Sequence, residues 1–303
     1  MKIYRKWFWI FVIPALALFF FVIVLPFIMG LANSFVAWRR TYYLDPSTGT
    51  RAASIFDSFV GLANYRAAFA EERFIRALWY TVRYTVLAVV SINVVSLCLA
   101  LLVNKITRAA GFFRTTFFLP NMLGGLALGF IWQIIFQTIF TDLLFSPTGI
   151  LHIEFLRYMT QDSLKALFAL MILNTWQTAG YMMIIYIAGL NNIPKDLYEA
   201  ASIDGASPWR TFRKITVPML MPSFTVVFFM TLANGFKLLD QNVALTDGEF
   251  NTRMLALQIL RTVKDTAQPD YGKAQAQAVI FFILVAAITL TQVTITKKRE
   301  LEM

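Results

Sequence analysis

The sequence predicts an all-α integral membrane protein with six transmembrane helices, and three observations carry that expectation. Of the 303 residues, 58% are hydrophobic and only 15% charged, whereas soluble domains sit nearer half apolar and a quarter charged. The excess is gathered into long runs of about the ~20 residues that a span requires. The basic residues behind the net charge of +10 cluster at the ends of those runs, where headgroups and topology account for them. They form no continuous face or tract, so nucleic acid is not expected as a partner. Without water, only helices satisfy the backbone of each run internally.

The first run begins "MKIYRKWFWIFVIPALALFFFVIVLPFIMG", with Lys2, Arg5 and Lys6 before an apolar stretch reaching about Gly30. It is longer than the core of a signal peptide, and no small-x-small cleavage site follows, so 7–30 reads as a retained first span. Five further spans are expected at about 78–103, 115–139, 164–190, 216–237 and 275–296. Pro14, Pro26 and Pro120 are expected to kink or cap their helices. No internal repeat or low-complexity linker divides the chain, which reads as one membrane domain over 1–303.

Charge sets the orientation. Lys105, Arg108 and Arg114 mark one short loop; Lys195, Arg210, Arg213 and Lys214 mark another; Lys297, Lys298 and Arg299 mark the tail. An even number of spans places all of them on the side of the N-terminus, and the positive-inside rule makes that side the cytoplasm. The segments 31–77, 140–163 and 238–274 then lie outside, the first carrying turn chemistry in "YYLDPSTGT".

Several chemistries are excluded. Cys98 is the one cysteine, so no disulfide or thiolate metal site forms within a chain, and His152 is the one histidine, read as a solvated loop residue near Glu154. No G-x-x-x-x-G-K-[ST] occurs, since Gly272-Lys273 lacks the upstream glycine. No metal site and no nucleotide site are expected in this chain.

Two constellations remain. The first is "PKDLYEAASIDGASPWRTFRKITVPML" (194–220), a polar segment between apolar runs. Pro194 suits a first helical turn with Asn192 near its cap, and Asp196 and Glu199 favour the N-terminal end of the dipole. Asp204-Gly205 can end that helix. Ser207 and Pro208 then supply the N-cap and first position of a second helix leading into the next span. Ala200, Ala201, Gly205 and Ala206 line the bend with small side chains that permit close approach by another body. A plain loop packed on its own bundle would not need this construction.

The second constellation is polar and lies within the spans. Asn174, Gln177, Thr178 and Tyr181 follow i, i+3, i+4, i+7 on the fourth run. Thr231, Asn234, Lys237 and Gln241 trace a comparable face on the fifth, and Gln133 and Gln137 stack on the third. Amides both donate and accept, which suits hydroxyl-rich solutes, and Trp132, Trp176 and Tyr181 offer ring faces. Polar side chains also join helices to one another, and Gly125-x-x-x-Gly129 reads as packing. Lys237 and Asp240, three apart, read as a local pair; a cavity-facing Lys237 would instead favour an anionic solute.

Glu199-Ala200-Ala201, then Gly205, then Ile215-x-Val217-Pro218 resembles the "EAA" loop of ATP-binding-cassette importer permeases, including the spacing from the glycine to the proline opening the next span. "GFFRTTFFLPNML" (111–123), "GLANYRAAF" (61–69) and "FKLLDQNVALTDG" (236–248) resemble segments of the carbohydrate importers of that family, among them oligosaccharide and glycerol-phosphate permeases. Asp247-Gly248-Glu249-Phe250 stands where the family usually has Gly-Gly-Pro.

The resemblance implies a type I ABC importer permease-like fold, with a cytoplasmic coupling helix between helices 4 and 5. It implies that Glu199, Ala200, Ala201, Asp204, Gly205, Ala206 and Pro208 form the element that docks on an ATPase. The substrate path would draw on Gln133, Asn174, Trp176, Gln177, Tyr181, Asn234, Lys237 and Gln241. The implied partners are a second permease subunit, expected to be a different chain, two ATPase subunits or domains that bind ATP and Mg, and an external solute-binding protein. The chain itself would be no enzyme but a multi-pass subunit of the cell membrane, with both termini cytoplasmic. A sugar is the implied solute, with glycerol-phosphate or another small polar solute as the same-class alternative. A self-sufficient secondary transporter is the rival of another class; it would be expected to bury carboxylates in its spans and to show inverted repeats, whereas Asp and Glu here keep to loops and span ends.

Overall fold

A computed structural model describes residues 2–106, 108–145, 147, 149–151 and 153–298, with backbone alone for 2–7. His152, Arg299 and the side chains of Lys2, Arg5 and Lys6 lie outside the described residues. Among the described residues, five helices are long and apolar enough to cross a membrane: Phe8–Asn33, Glu72–Asn104, Gly125–Leu144, Ser163–Asn191 and Tyr271–Lys297. A sixth span is a pair, Pro208–Met219 and Met221–Phe236, bent by 67° at the break.

Proline chemistry explains the irregularities. A proline lacks an N–H, and its ring collides with the carbonyl four residues back. Around Pro26 and Pro218 the collision is relieved by wider π-helical turns at Phe20–Val24 and Phe212–Thr216, which contain Val22 and Lys214, the residues four positions earlier. Pro222 follows the break at Leu220 and removes another donor, so the fifth span bends there. The third run departs from the expected single helix over 115–139. Ala110–Phe118 is a separate helix, Pro120 opens a 3₁₀ turn at Leu119–Met122, and Gly124 is extended before the span begins at Gly125.

The chain divides into two compact units, Met1–Phe74 with Gln258–Ile283 and Ile75–Leu257 with Leu284–Met303. In the first, a short antiparallel pairing sets Trp38 opposite Tyr43 and Arg39 opposite Tyr42, and Trp38 stacks on Tyr271. Asn64 Nδ2 donates to the carbonyls of Ser34 and Val36, each at 2.9 Å. The Ser47 hydroxyl and N–H donate to Asp45 and hold its carboxyl below the usual range. Glu71 is the polar hub. Its carboxylate takes Lys273 Nζ at 3.0 Å, Gln258 Nε2 at 3.2 Å and Gln277 Nε2 at 3.3 Å, while Thr262 donates to Gln277 Oε1 at 2.9 Å.

In the second unit, buried Tyr84, Ile92, Leu170, Leu173, Met183 and Tyr186 belong to one core. Polar side chains join its helices. Tyr186 Oη donates to Asn93 Oδ1 at 2.7 Å, Asn93 Nδ2 donates to Thr231 Oγ1 at 3.2 Å, and Ser91 and Thr175 share a bond of 2.8 Å. The fourth span meets the Ala110–Phe118 helix so closely that a Cβ on Gly180 would fall on the Phe117 carbonyl. That neighbour is backbone and cannot rotate away. Gly180→Ala should therefore cost about 2 kcal/mol and lower the thermal midpoint of the detergent-solubilised protein by several degrees; an unchanged midpoint would show that the contact is not required.

Candidate functional site

The fourth and fifth spans and the turn after Pro120 enclose a cavity of about 280 Å³ within the second unit. Six residues of the polar stripes line it: Asn174, Gln177 and Thr178 from the fourth span, Asn234 and Lys237 from the end of the fifth, and Gln241 from the short helix Asp240–Thr246. Asp240, the expected partner of Lys237, joins them. Asn174 and Gln177 are buried, whereas Asn234, Lys237 and Asp240 are exposed. The amides are oriented in series, with Gln241 Nε2 donating to Gln177 Oε1 at 2.8 Å and Gln177 Nε2 donating to the Leu123 carbonyl at 3.1 Å. Asn121 also lines the cavity and was missed from the sequence, because 115–139 read as one helix whereas this residue sits on the 3₁₀ turn.

Gln133, Trp176 and Tyr181 do not line this cavity. Gln133 Nε2 donates to the Leu245 carbonyl at 3.3 Å and joins two helices. It is placed there because the third span lies against Asp240–Thr246: a Cβ on Gly125 would come within 2.9 Å of Asp240 Cβ, and one on Gly129 within 2.5 Å of Ala244 Cβ. Trp176 is 47% exposed and meets Trp132 edge to face, and Tyr181 lies beside Phe118. The expected local pair is also corrected: among the described residues no ion pair joins Lys237 and Asp240. The helix ends at Phe236 and a new one starts at Asp240, so the i, i+3 neighbourhood of a continuous helix does not exist there. Both charges stand at the cavity instead.

The 194–214 loop has the helix–turn–helix form expected from its residues. Lys195–Ile203 is helical, and the N–H groups of Asp204 and Ala206 close back on the carbonyls of Ala200 and Ala201 at 2.9 Å each. Gly205 has φ +68°, a left-handed conformation that glycine adopts without a Cβ penalty. Ser207 Oγ accepts from the Arg210 N–H at 3.3 Å, and Pro208 opens the next helix. The start differs from expectation. Asn192 terminates the fourth span, and Pro194, with extended backbone, occupies the N-cap position itself.

Glu199, Ala200, Asp204, Gly205 and Pro208 are exposed, Ala201 is buried, and Ala206 and Pro208 border an open cavity of about 480 Å³ that Asn104, Lys105 and Tyr198 also line. Tyr198 Oη and Thr216 Oγ1 share a bond of 3.2 Å that ties the loop to the following span. Two large apolar side chains flank the bend in solvent, Ile203 at 87% and Trp209 at 68% exposure. Their apolar character gave no signal in a sequence where apolar residues are the background.

Residues 92–299 match the family described as the binding-protein-dependent transport system inner membrane component. The chain is 39% identical over 299 residues to the probable starch degradation products transport system permease protein AmyD of Thermoanaerobacterium thermosulfurigenes, covering 98% of this chain and 96% of that one. It is 31% identical to the multiple sugar-binding transport system permease protein MsmF of Streptococcus mutans, covering 98% and 97%. With the sn-glycerol-3-phosphate permease protein UgpA of Agrobacterium fabrum it shares 28% identity, covering 92% and 94%. Its fold matches, with a TM-score of 0.76 at 19% identity and 98% coverage of both chains, a chain of a bacterial ABC transporter involved in the import of the acidic polysaccharide alginate. A second structure of an alginate transporter, in complex with an alginate pentasaccharide-bound periplasmic protein, matches at 0.74 and 19% identity, covering 96% and 94%.

The loop geometry yields one direct test of its construction. Ser207→Ala removes the side-chain acceptor at the helix start, worth about 1 kcal/mol. Amide hydrogen exchange at Arg210 should accelerate several-fold with exchange in the fourth span unchanged; equal protection would mean that Ser207 does not cap the helix.

Proposed function

The chain belongs to the binding-protein-dependent transport system inner membrane component family, and from that premise we propose that it is the membrane-spanning subunit of an ATP-driven importer that passes a sugar or oligosaccharide by alternating access. The observation that carries the solute class is the amide-lined cavity. Gln177 and Gln241 are oriented by their bonds to one another and to the Leu123 carbonyl, and buried Asn174 lies beside them, so a hydroxyl-rich solute meets amide donors and acceptors set in advance. Lys237 and Asp240 place one charge of each sign at the cavity, which leaves it without a net preference for anions. Relatives named for starch degradation products and for multiple sugars support the same class. The glycerol-phosphate reading rests on Lys237 acting without Asp240, and on the likeness to a permease named for that solute.

The energy enters through the 194–214 loop. A separate ATPase, carrying ATP and Mg, docks against the exposed face bearing Glu199, Ala200, Asp204, Gly205 and Pro208. Ile203 and Trp209 add apolar contact at the same bend, and Glu199 supplies charge. Ala201 is buried beneath the bend and shapes the loop, while half-buried Ala206 and exposed Pro208 border the cavity beside it. A second permease subunit, on a different chain, flanks the same path, and an external binding protein delivers the solute at the outer side. Both termini and the loop are cytoplasmic, and the chain performs no covalent chemistry.

Affinity isolation of the tagged chain from its native membrane, followed by mass spectrometry, tests the assembly. An ATPase and a second permease in comparable amounts support the reading. A chain that comes out alone and carries solute without ATP overturns it. In the reconstituted complex, Gly205→Leu should leave membrane insertion intact but cut uptake by about tenfold, through lost assembly or through ATP hydrolysis uncoupled from transport, because the left-handed backbone disfavours a side chain and its bulk would hold a docked ATPase away. Gln177→Leu should reduce uptake while ATP hydrolysis persists; full uptake in that variant would remove the cavity from the solute path.

A further inference from the structure

The first unit carries an apolar seat that the transport reading does not use. Ala32, Phe35 and Val36, at the end of the first span, enclose a cavity of about 500 Å³ with Ile55, Phe56 and Phe59. Phe56 is 85% and Phe59 63% exposed. A loose loop could shed such residues into water only at a cost, but this segment is not loose. Val60 N–H donates to the Phe35 carbonyl at 2.9 Å and Ala37 N–H to the Ser58 carbonyl at 2.8 Å. The N–H and hydroxyl of Ser54 both donate to Asp57 Oδ2 at 2.9 Å, and the Ser58 hydroxyl donates to the Ile55 carbonyl at 2.6 Å. The fold thus presents two phenyl rings outward on a turn whose backbone groups are largely paired, while its exposed Asp57 carboxylate belongs at the level of the headgroups.

Position names the medium. No charged residue stands between Lys6 and Arg39. At ~1.5 Å per residue the Phe8–Asn33 helix spans roughly 39 Å, against about 30 Å of hydrocarbon and 40–45 Å with headgroups. The seat, beginning at Ala32, therefore stands where the acyl chains meet the headgroups. Leu62, Arg66 and Phe69 follow at i, i+4, i+7 and are exposed, an apolar stripe with one cation of the kind that snorkels to headgroups. We propose that residues 54–60 seat in the bilayer leaflet at the Asn33 end of the first span, with a lipid acyl chain occupying the cavity between Phe56, Phe59 and that helix end. In the orientation proposed above this is the outer leaflet, and the seat fixes the height of the outer segment on the membrane. It rests on the placement of the first span and not on the identity of the solute.

Because Cys98 is the one cysteine, a Cys98→Ser background gives a single labelling site. Phe56→Cys and Phe59→Cys, each carrying a nitroxide, are placed in the full chain with its co-purifying subunits in phosphatidylcholine–phosphatidylglycerol vesicles. Power-saturation spectroscopy then compares collision with oxygen, which concentrates in lipid, and with a water-soluble nickel chelate. Oxygen access should exceed nickel access several-fold at both sites, as at a Phe21→Cys control within the first span, while Thr48→Cys in the 45–50 turn shows the reverse. Nickel access equal to that at Thr48 would overturn the proposal by placing the seat in water. Exclusion of both reagents would overturn it too, by showing that protein covers the seat. Both substituted rings are exposed, so the variants remove no core packing.

Discussion

Every backbone N–H and C=O within the hydrocarbon must find a partner inside the protein, and that constraint orders most of this structure. It makes the six spans helical and turns each proline into a local event. Where a regular helix would collide with a proline ring, the chain widens into a π turn before Pro26 and before Pro218. Where a donor is missing at Pro222 the helix bends, and at Pro120 it ends and restarts. The 3₁₀ turn created there brings Asn121 to the cavity, so a rule about backbone pairing decides part of the site's chemistry.

The same medium separates two uses of polar side chains. Asn93, Tyr186 and Thr231 form a linked set in the second unit, as do Ser91 and Thr175. Their groups are spent on one another and join helices that lipid gives little reason to associate. Asn174, Gln177 and Gln241 are built from equally ordinary residues but border open volume. Gln177 and Gln241 use only part of the hydrogen-bonding capacity of an amide in bonding to neighbours, and are oriented without being saturated. Residue type alone does not distinguish the two cases.

That distinction marks how far the sequence could be read. Six spans follow from apolar length and charge placement, both of which act along the chain. The 195–203 helix, the turn at Gly205 and the cap at Ser207 are legible because each is local chemistry. Six residues of the polar stripes reach the cavity because helical periodicity fixes a face. Gln133 obeys the same periodicity yet faces the Asp240–Thr246 helix, whose position depends on Gly125 and Gly129 admitting it. The Lys237–Asp240 pair fails because a break at Leu238-Leu239 falls between them. Contacts between elements, and breaks one or two residues long, are the information that spacing does not contain.

Under the proposed coupling role, force applied to the 194–214 loop would pass through elements of the second unit alone to reach the cavity. The loop is the covalent connection between the two spans that line it. The fourth span runs without a break from Gln177 to Asn191, roughly 20 Å of α-helix, and delivers its end directly to the 195–203 helix. The fifth span returns through a π turn and a 67° bend before reaching Asn234 and Lys237. A displacement of the loop would therefore act on the two walls unequally. The straight helix would carry Asn174 and Gln177 as a rigid lever, while the bend at Leu220 would absorb part of the motion on the other side. Unequal transmission changes the separation of the walls, and with it the bond between Gln241 and Gln177. A loop joining two equally straight helices would move both walls together and leave the cavity as it was.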